Sequence, residues 1–302
     1  MKINSFSKFA WATLFFNLLV VLWGAYVRAS GSGAGCGAHW PLCNGEVIPQ
    51  APQMKTLVEF THRLSSGLAL LLVVGLVVWA WRAYPKGSPV RLGAGLAMFF
   101  MITESLVGAM LVLFRWVALD QSVERVYSVS VHLVNTFLLL GSITLTAWWA
   151  SGGAPVRLRG RQTRSLVIFG AAFIGILLVG VSGAITALGD TLFPAGSLAE
   201  GIRQDFVATA HFLVRLRVIH PLLSVSLGVY LAATAYFWPT QPGERRLQGL
   251  RRALIAVVML QLAAGAVNVV LLAPVWMQLV HLLLADTVWI LLVLFAAQVF
   301  QT

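Results

Sequence analysis

The sequence predicts an all-α polytopic membrane protein with eight transmembrane helices, built as two pseudo-repeated four-helix bundles. Three observations predict it. Of 302 residues, 59% are hydrophobic and 10% charged, against about a quarter charged in soluble domains. Eight apolar runs each reach the roughly 20 residues that a spanning helix needs. Four short patterns recur in the same order in the two halves of the chain. A water-soluble globule is thereby excluded. In a soluble protein the net charge of +11 would suggest nucleic acid. Here the basic residues sit in short segments between apolar runs, the pattern of topology signals and of contact with anionic membrane lipid, and no nucleic-acid motif is present.

The first predicted span covers 8–29. Small residues follow it (Ala29, Ser30, Gly31), as at a signal-peptide cleavage site. The run is longer than a signal h-region and Arg28 follows it directly, so it reads as a retained helix. The remaining spans are predicted at 58–82, 92–115, 126–150, 165–188, 211–238, 253–273 and 276–300, with a tight turn around Pro274 joining the last two. Thirteen of the 21 Lys and Arg fall on one side: Lys2, Lys8, Arg82, Lys86, Arg91, Arg157, Arg159, Arg161, Arg164, Arg245, Arg246, Arg251 and Arg252. This side is read as the interior, which predicts a cell (plasma) membrane protein with both termini cytoplasmic and the longest loops, about 30–57 and 189–210, outside.

The repeat divides the chain into halves 1–152 and 153–302. Gly24-Ala-Tyr-Val-Arg near the end of span 1 matches Gly183-Ala-Ile-Thr-Ala near the end of span 5. Span 3 reads Glu104-Ser-Leu-Val-Gly-Ala; span 7 reads Gln261-Leu-Ala-Ala-Gly-Ala. His62-Arg-Leu-Ser-Ser matches His220-Pro-Leu-Leu-Ser, and His132-Leu-Val-Asn matches His281-Leu-Leu-Leu. Four helices per half make the repeat a parallel one.

Four of the six histidines therefore take repeat-equivalent places near the starts of the even-numbered spans. All four lie at similar depth, toward the outer face. One intramembrane histidine is usually a helix–helix hydrogen-bonding residue. Four in a two-fold pattern point to ligation, and two imidazoles from facing helices suit haem iron, whereas zinc usually takes three or four clustered ligands. The pairs are His62 with His132 and His220 with His281. His211 competes with His220 but does not align with His62; His39 falls in an outer loop.

Glu59 precedes His62 by three residues and shares its helical face. It suits either proton handling at a haem edge or, equally, a carboxylate placed on a helix N-terminus. Glu104 and Asp286 are deep carboxylates that pair with a polar neighbour or titrate. The two cysteines, Cys36 and Cys43, share one outer loop. A disulfide is the natural reading in an oxidising compartment, with a pair of redox thiols as the alternative.

Taken together, these stretches resemble the haem A synthase family. The most specific are Arg28-Ala-Ser-Gly-Ser-Gly33 running into Cys36 and Trp40-Pro-Leu-Cys43, then Glu59-Phe-Thr-His-Arg63, with support from Gly189-Asp-Thr-Leu-Phe-Pro194. The resemblance implies an eight-helix oxidoreductase that converts the C8 methyl of haem O to the formyl group of haem A for terminal oxidases. It passes through a hydroxymethyl intermediate, with water as oxygen source and an unidentified electron acceptor. By position it implies that His62 and His132 flank the substrate haem in 1–152, that His220 and His281 bind a haem b in 153–302, and that Glu59 is the catalytic carboxylate. It also implies Arg63 beside the substrate haem, and as partners haem O synthase and oxidase assembly factors. One departure is that His220 is followed by Pro221 where the family commonly has Arg. Arg217 or Arg215 is the replacement cation for the haem propionates. The rival readings are a dihaem b-type cytochrome for quinol-linked electron transfer and a haem carrier without turnover.

Overall fold

A computed structural model describes residues 4–156 and 162–301. Lys2, Arg157, Arg159 and Arg161, named above as topology signals, lie outside the described residues. Eight helices in the described chain are long and apolar enough to cross a membrane. The first four are α1 (Ser5–Ala29), α2 (Met54–Ala83), α3 (Pro89–Leu113) and α4 (Val123–Ala150); α5 is Thr163–Leu192. A short α6 (Leu198–Asp205) follows. The sixth span, Phe212–Phe237, is assembled from α7 (Phe212–Arg215), a 3-10 turn (Leu216–Val218) and α8 (Ile219–Phe237). Two more helices, α9 (Arg245–Val270) and α10 (Val275–Val299), complete the chain. The protein is all-helical and multi-pass, as the composition predicts.

Local chemistry sets the helix starts. Asn4 and Ser7 form a reciprocal capping box at α1, Ser88 caps α3 with Pro89 in its first turn, and Ser122 caps α4. Two boundaries differ usefully from expectation. α9 begins at Arg245, eight residues before the predicted 253, because the helix continues through Arg245, Arg246, Arg251 and Arg252 after apolarity has ended. The sixth span is not one uninterrupted helix. Pro221 has no N–H to give the carbonyl four residues back, and a 3-10 turn accommodates the break just before it.

The most enclosed spans are α4 and α10, with half and 39% of their apolar windows buried, against 17–28% for the others. They meet at the centre: Phe137 stacks on Trp289 with ring centroids 5.2 Å apart, and Trp289 Nε1 donates to the Phe137 carbonyl at 2.6 Å. Lipid offers apolar side chains as good a home as the interior does, so close contact between helices must come from small residues. A Cβ on Gly93 would lie 2.4 Å from Thr146 Oγ1, and one on Gly228 2.9 Å from Leu262. Between halves, Arg28 at the end of α1 donates to the Ala187 carbonyl (2.8 Å), Thr191 Oγ1 (3.0 Å) and Gln278 Oε1 (2.9 Å).

Candidate haem site

Each of the four predicted histidines packs against a glycine of the preceding span. A Cβ on Gly24 would lie 2.9 Å from the His62 ring, and one on Gly183 2.9 Å from the His220 ring. One on Gly265 would lie 3.1 Å from His281, and one on Gly108 3.8 Å from His132. At Gly24, Gly183 and Gly265 the imidazole takes the space a side chain would need; at Gly108 a Cβ would make an ordinary contact. The glycines had been visible in the sequence only as repeat markers.

The structure brings His220 and His281 together: their ring centroids are 6.3 Å apart and their planes perpendicular. His220 Nδ1 lies 3.0 Å from Ser182 Oγ, a contact that orients the ring. The Nδ1 atoms of His62, His132 and His281 are buried without a hydrogen bond. His132 Nδ1 does have Glu104 Oε2 at 3.4 Å, an ion-pair distance without hydrogen-bond geometry. Among the described residues no three His, Cys, Asp or Glu side chains cluster as a metal site.

His211 is not in this company. It is the N-cap of α7, with Nδ1 accepting from the Leu213 amide at 3.3 Å, and it stacks on Phe193 with centroids 4.8 Å apart.

Glu59 is buried, and both its oxygens are engaged. Oε2 accepts from the Cys36 amide at 2.8 Å, and Oε1 accepts from the Arg63 guanidinium in a close pair. Arg63 Nη1 donates onward to the carbonyls of His39, at 2.6 Å, and Leu42. Cys36 and Cys43 form a disulfide, and both are fully buried. Gly35 has no room for a side chain: a Cβ there would sit 2.3 Å from the Lys55 carbonyl. The loop is therefore stapled onto the start of α2, one helical turn from His62.

A similar staple exists in the second half. Arg217 donates to Asp190 Oδ1 and Asp205 Oδ1, each at 3.0 Å, and to the Phe193 carbonyl at 3.4 Å. These bonds tie α6 and the end of α5 to the 3-10 turn. Burial raises the Asp205 carboxyl above the usual carboxylate range, with Arg217 opposing. Arg63, expected beside the substrate haem, and Arg217, expected at the haem propionates, thus already hold protein carbonyls and carboxylates.

Glu104 accepts from Asn135 Nδ2 at 2.6 Å and pairs closely with the Thr136 hydroxyl. Asp286, five residues beyond His281, is buried, with no hydrogen bond to either oxygen.

Comparison with known proteins agrees over most of the chain. Two proteins named protoheme IX farnesyltransferase, from two strains of Thermus thermophilus, are each 54% identical over 308 residues, covering all of this chain. The chain spans half the length of those two relatives. A heme A synthase from Exiguobacterium sp. is 27% identical over 249 residues, covering 82% of this chain and 78% of the relative. One from Lysinibacillus sphaericus is 39% identical over 144 residues, 47% of this chain and 46% of the relative. The COX15-CtaA family, described as cytochrome oxidase assembly protein, matches residues 7–293, and the chain belongs to this family.

Proposed function

We propose that the chain is a haem A synthase, oxidising the C8 methyl of haem O to the formyl group of haem A. In this reading His62 and His132 flank the substrate haem, and His220 and His281 hold a haem b. The observation that carries it is the His220–His281 spacing of 6.3 Å. With metal–imidazole bonds of about 2 Å and each ring nitrogen about 1 Å from its ring centre, two imidazoles on one iron have centroids about 6 Å apart. Four half-buried imidazoles, each with a glycine beside it, fit a pair of haems, and Nδ1 of His62, His132 and His281 makes no hydrogen bond. The heme A synthase names of the Exiguobacterium and Lysinibacillus relatives support the same reaction.

Haem supplies the iron redox chemistry when bound; the chain supplies position, charge and exclusion of water. Ser182 orients His220, and Gly24, Gly183 and Gly265 leave their imidazoles the space they occupy. Glu59 is the candidate catalytic carboxylate, an anion that favours positive charge developing at the methyl under attack. Water is the proposed oxygen source, and the electron acceptor is unnamed. We also propose that both termini face the cytoplasm and the haems lie toward the outer face, supported by the concentration of Lys and Arg at the opposite end. The Thermus relatives carry a segment like this chain within a polypeptide twice as long, under a farnesyltransferase name. That supports partnership with an enzyme that farnesylates protohaem, alongside oxidase assembly factors.

The test is the pigment. Protein purified from membranes and extracted for chromatography is expected to yield haem O or haem A beside haem B. Haem B alone overturns the enzyme in favour of an electron-transfer cytochrome or a carrier. Glu59→Gln then tests the catalytic assignment: it is expected to fold, keep both haems and accumulate haem O or its hydroxylated form. A normal yield of haem A leaves Glu59 as the clamp on the disulfide loop and nothing more.

A further inference from the structure

Glu104 of α3 and Gln261 of α9 each stand four residues before a glycine that packs on a histidine, and each reaches the histidine of the following span. Glu104 Oε2 is 3.4 Å from His132 Nδ1; Gln261 Nε2 is 3.3 Å from His281 Nε2. One neighbour is a carboxylate and the other a neutral amide.

The hydrogen bonds fix how the side chain of Glu104 is held. Asn135 Nδ2 lies 2.8 Å from the Phe100 carbonyl, which only accepts, so this end of the amide is the NH2 group. The same NH2 lies 2.6 Å from Glu104 Oε2, which must therefore accept. Thr103 Oγ1 donates to Asn135 Oδ1 at 2.6 Å and holds the amide in this sense. Thr136 shares its hydroxyl between Glu104 Oε1 and the His132 carbonyl, so the acid and the histidine backbone are held as one unit. His132 Nδ1 has no hydrogen-bond partner. An anion beside the free nitrogen of an axial imidazole makes it a stronger donor and favours the higher oxidation state of the iron.

We propose that Glu104 is a positioning residue for His132: it orients the imidazole and, through its charge, lowers the reduction potential of the haem in the N-terminal half. Gln261 orients His281 without that charge. The proposal rests on the haem-ligation reading above. The two contacts fall on different ring nitrogens, Nδ1 of His132 and Nε2 of His281, and differ in charge.

The experiment is redox titration of the purified, haem-loaded protein, followed by haem absorbance, in wild type, Glu104→Gln, Glu104→Asp and Gln261→Glu. Glu104→Gln is expected to raise the potential of one haem component, changing its ferric-to-ferrous ratio at fixed potential about tenfold, which is 59 mV for a one-electron couple. Glu104→Asp retains the charge and is expected to shift less. Gln261→Glu is expected to lower the potential of the other component. A purely structural Glu104 would reduce haem content or thermal stability and leave the potential of the retained haem unchanged, and that result overturns the proposal. If Glu104→Gln loses its haem, an unmoved potential in Gln261→Glu overturns it. Wild type holding two haems with no shift in the variants sinks this proposal alone. Wild type that binds none sinks the ligation reading with it.

Discussion

The N-terminal half and the C-terminal half solve one packing problem with different polar chemistry. In both, a histidine near the start of a helix presses against a glycine of the preceding span, at 2.9 Å for Gly24 and for Gly183. In both, an arginine close to that histidine staples an irregular segment over it. In the first half this is Arg63, the residue after His62, bound to Glu59 and to carbonyls of the disulfide loop. In the second, Pro221 occupies the place after His220, and Arg217, one turn earlier, takes Asp190 and Asp205 instead. The staple moves along the chain while the histidine stays. What is kept is the imidazole and the space around it; what varies is the means of closing the end of the bundle.

The largest expected effect breaks the halves apart. His220→Ala and His281→Ala should each remove haem b while leaving the other pigment, and His62→Ala and His132→Ala should abolish haem A. Haem content per protein, by extraction and chromatography, checks this, and retention of both haems in all four variants would end the two-site comparison. His211→Ala should have little effect on haem content; loss of haem b from that variant alone would mean the wrong imidazole has been paired with His281.

Next come the staples. Arg217→Ala leaves Asp190 and Asp205 facing each other without their cation, and breaking a buried pair costs about 3 kcal/mol. Arg63→Ala should cost a similar amount, since Glu59 is as deeply enclosed. Thermal denaturation in detergent, compared with the double variant Arg217→Ala with Asp190→Asn, separates lost charge pairing from lost packing. A much smaller cost for one arginine would show that the two staples are not equivalent.

The disulfide has no counterpart in the second half. Replacing Cys36 and Cys43 by Ser should lower stability by about 2 kcal/mol, as expected for a short cross-linked loop. Labelling denatured protein for thiols before and after reduction checks the bond itself; full labelling without reductant would leave a dithiol loop. The smallest effect tests the glycine seams. Gly24→Ala and Gly183→Ala should each cost about 1–2 kcal/mol through overpacking against the ring. Gly67→Ala, which meets nothing within 4 Å, should be neutral or slightly stabilising. Equal penalties at the two seams would sharpen the likeness between halves.

The spans were legible in the sequence because an apolar run of bilayer length has few other uses. Their order, and the disulfide of Cys36 with Cys43, could be read for similar reasons of length and proximity. The ends were less legible. Apolarity marks where lipid begins, whereas hydrogen bonding carries α9 out through its arginines to Arg245. The helix α6 falls in a polar loop, and its partner for stability, Arg217, lies twelve residues on, in the 3-10 turn. At the site, the four histidines and Glu59 could be picked out one by one from position. The relation between Glu104 and His132 could not, because it joins α3 to α4 through Asn135 and Thr136 and has no spacing signature in either helix. Pro221 signalled a departure, but only three dimensions show that Arg217 meets it by turning toward two carboxylates.

Arg217 also bears on how the chain enters the bilayer. A cation carried into a membrane helix without a partner opposes insertion by about 3 kcal/mol at the centre, and by less near the end. Both of its carboxylate partners, Asp190 and Asp205, precede it in the chain. During synthesis they leave the ribosome first, so the charge can be neutralised as the sixth span emerges, before any later helix exists to help. An Asp190→Asn chain keeps Asp205 as the partner of Arg217 and is expected to insert somewhat less efficiently, which the membrane-inserted fraction measures.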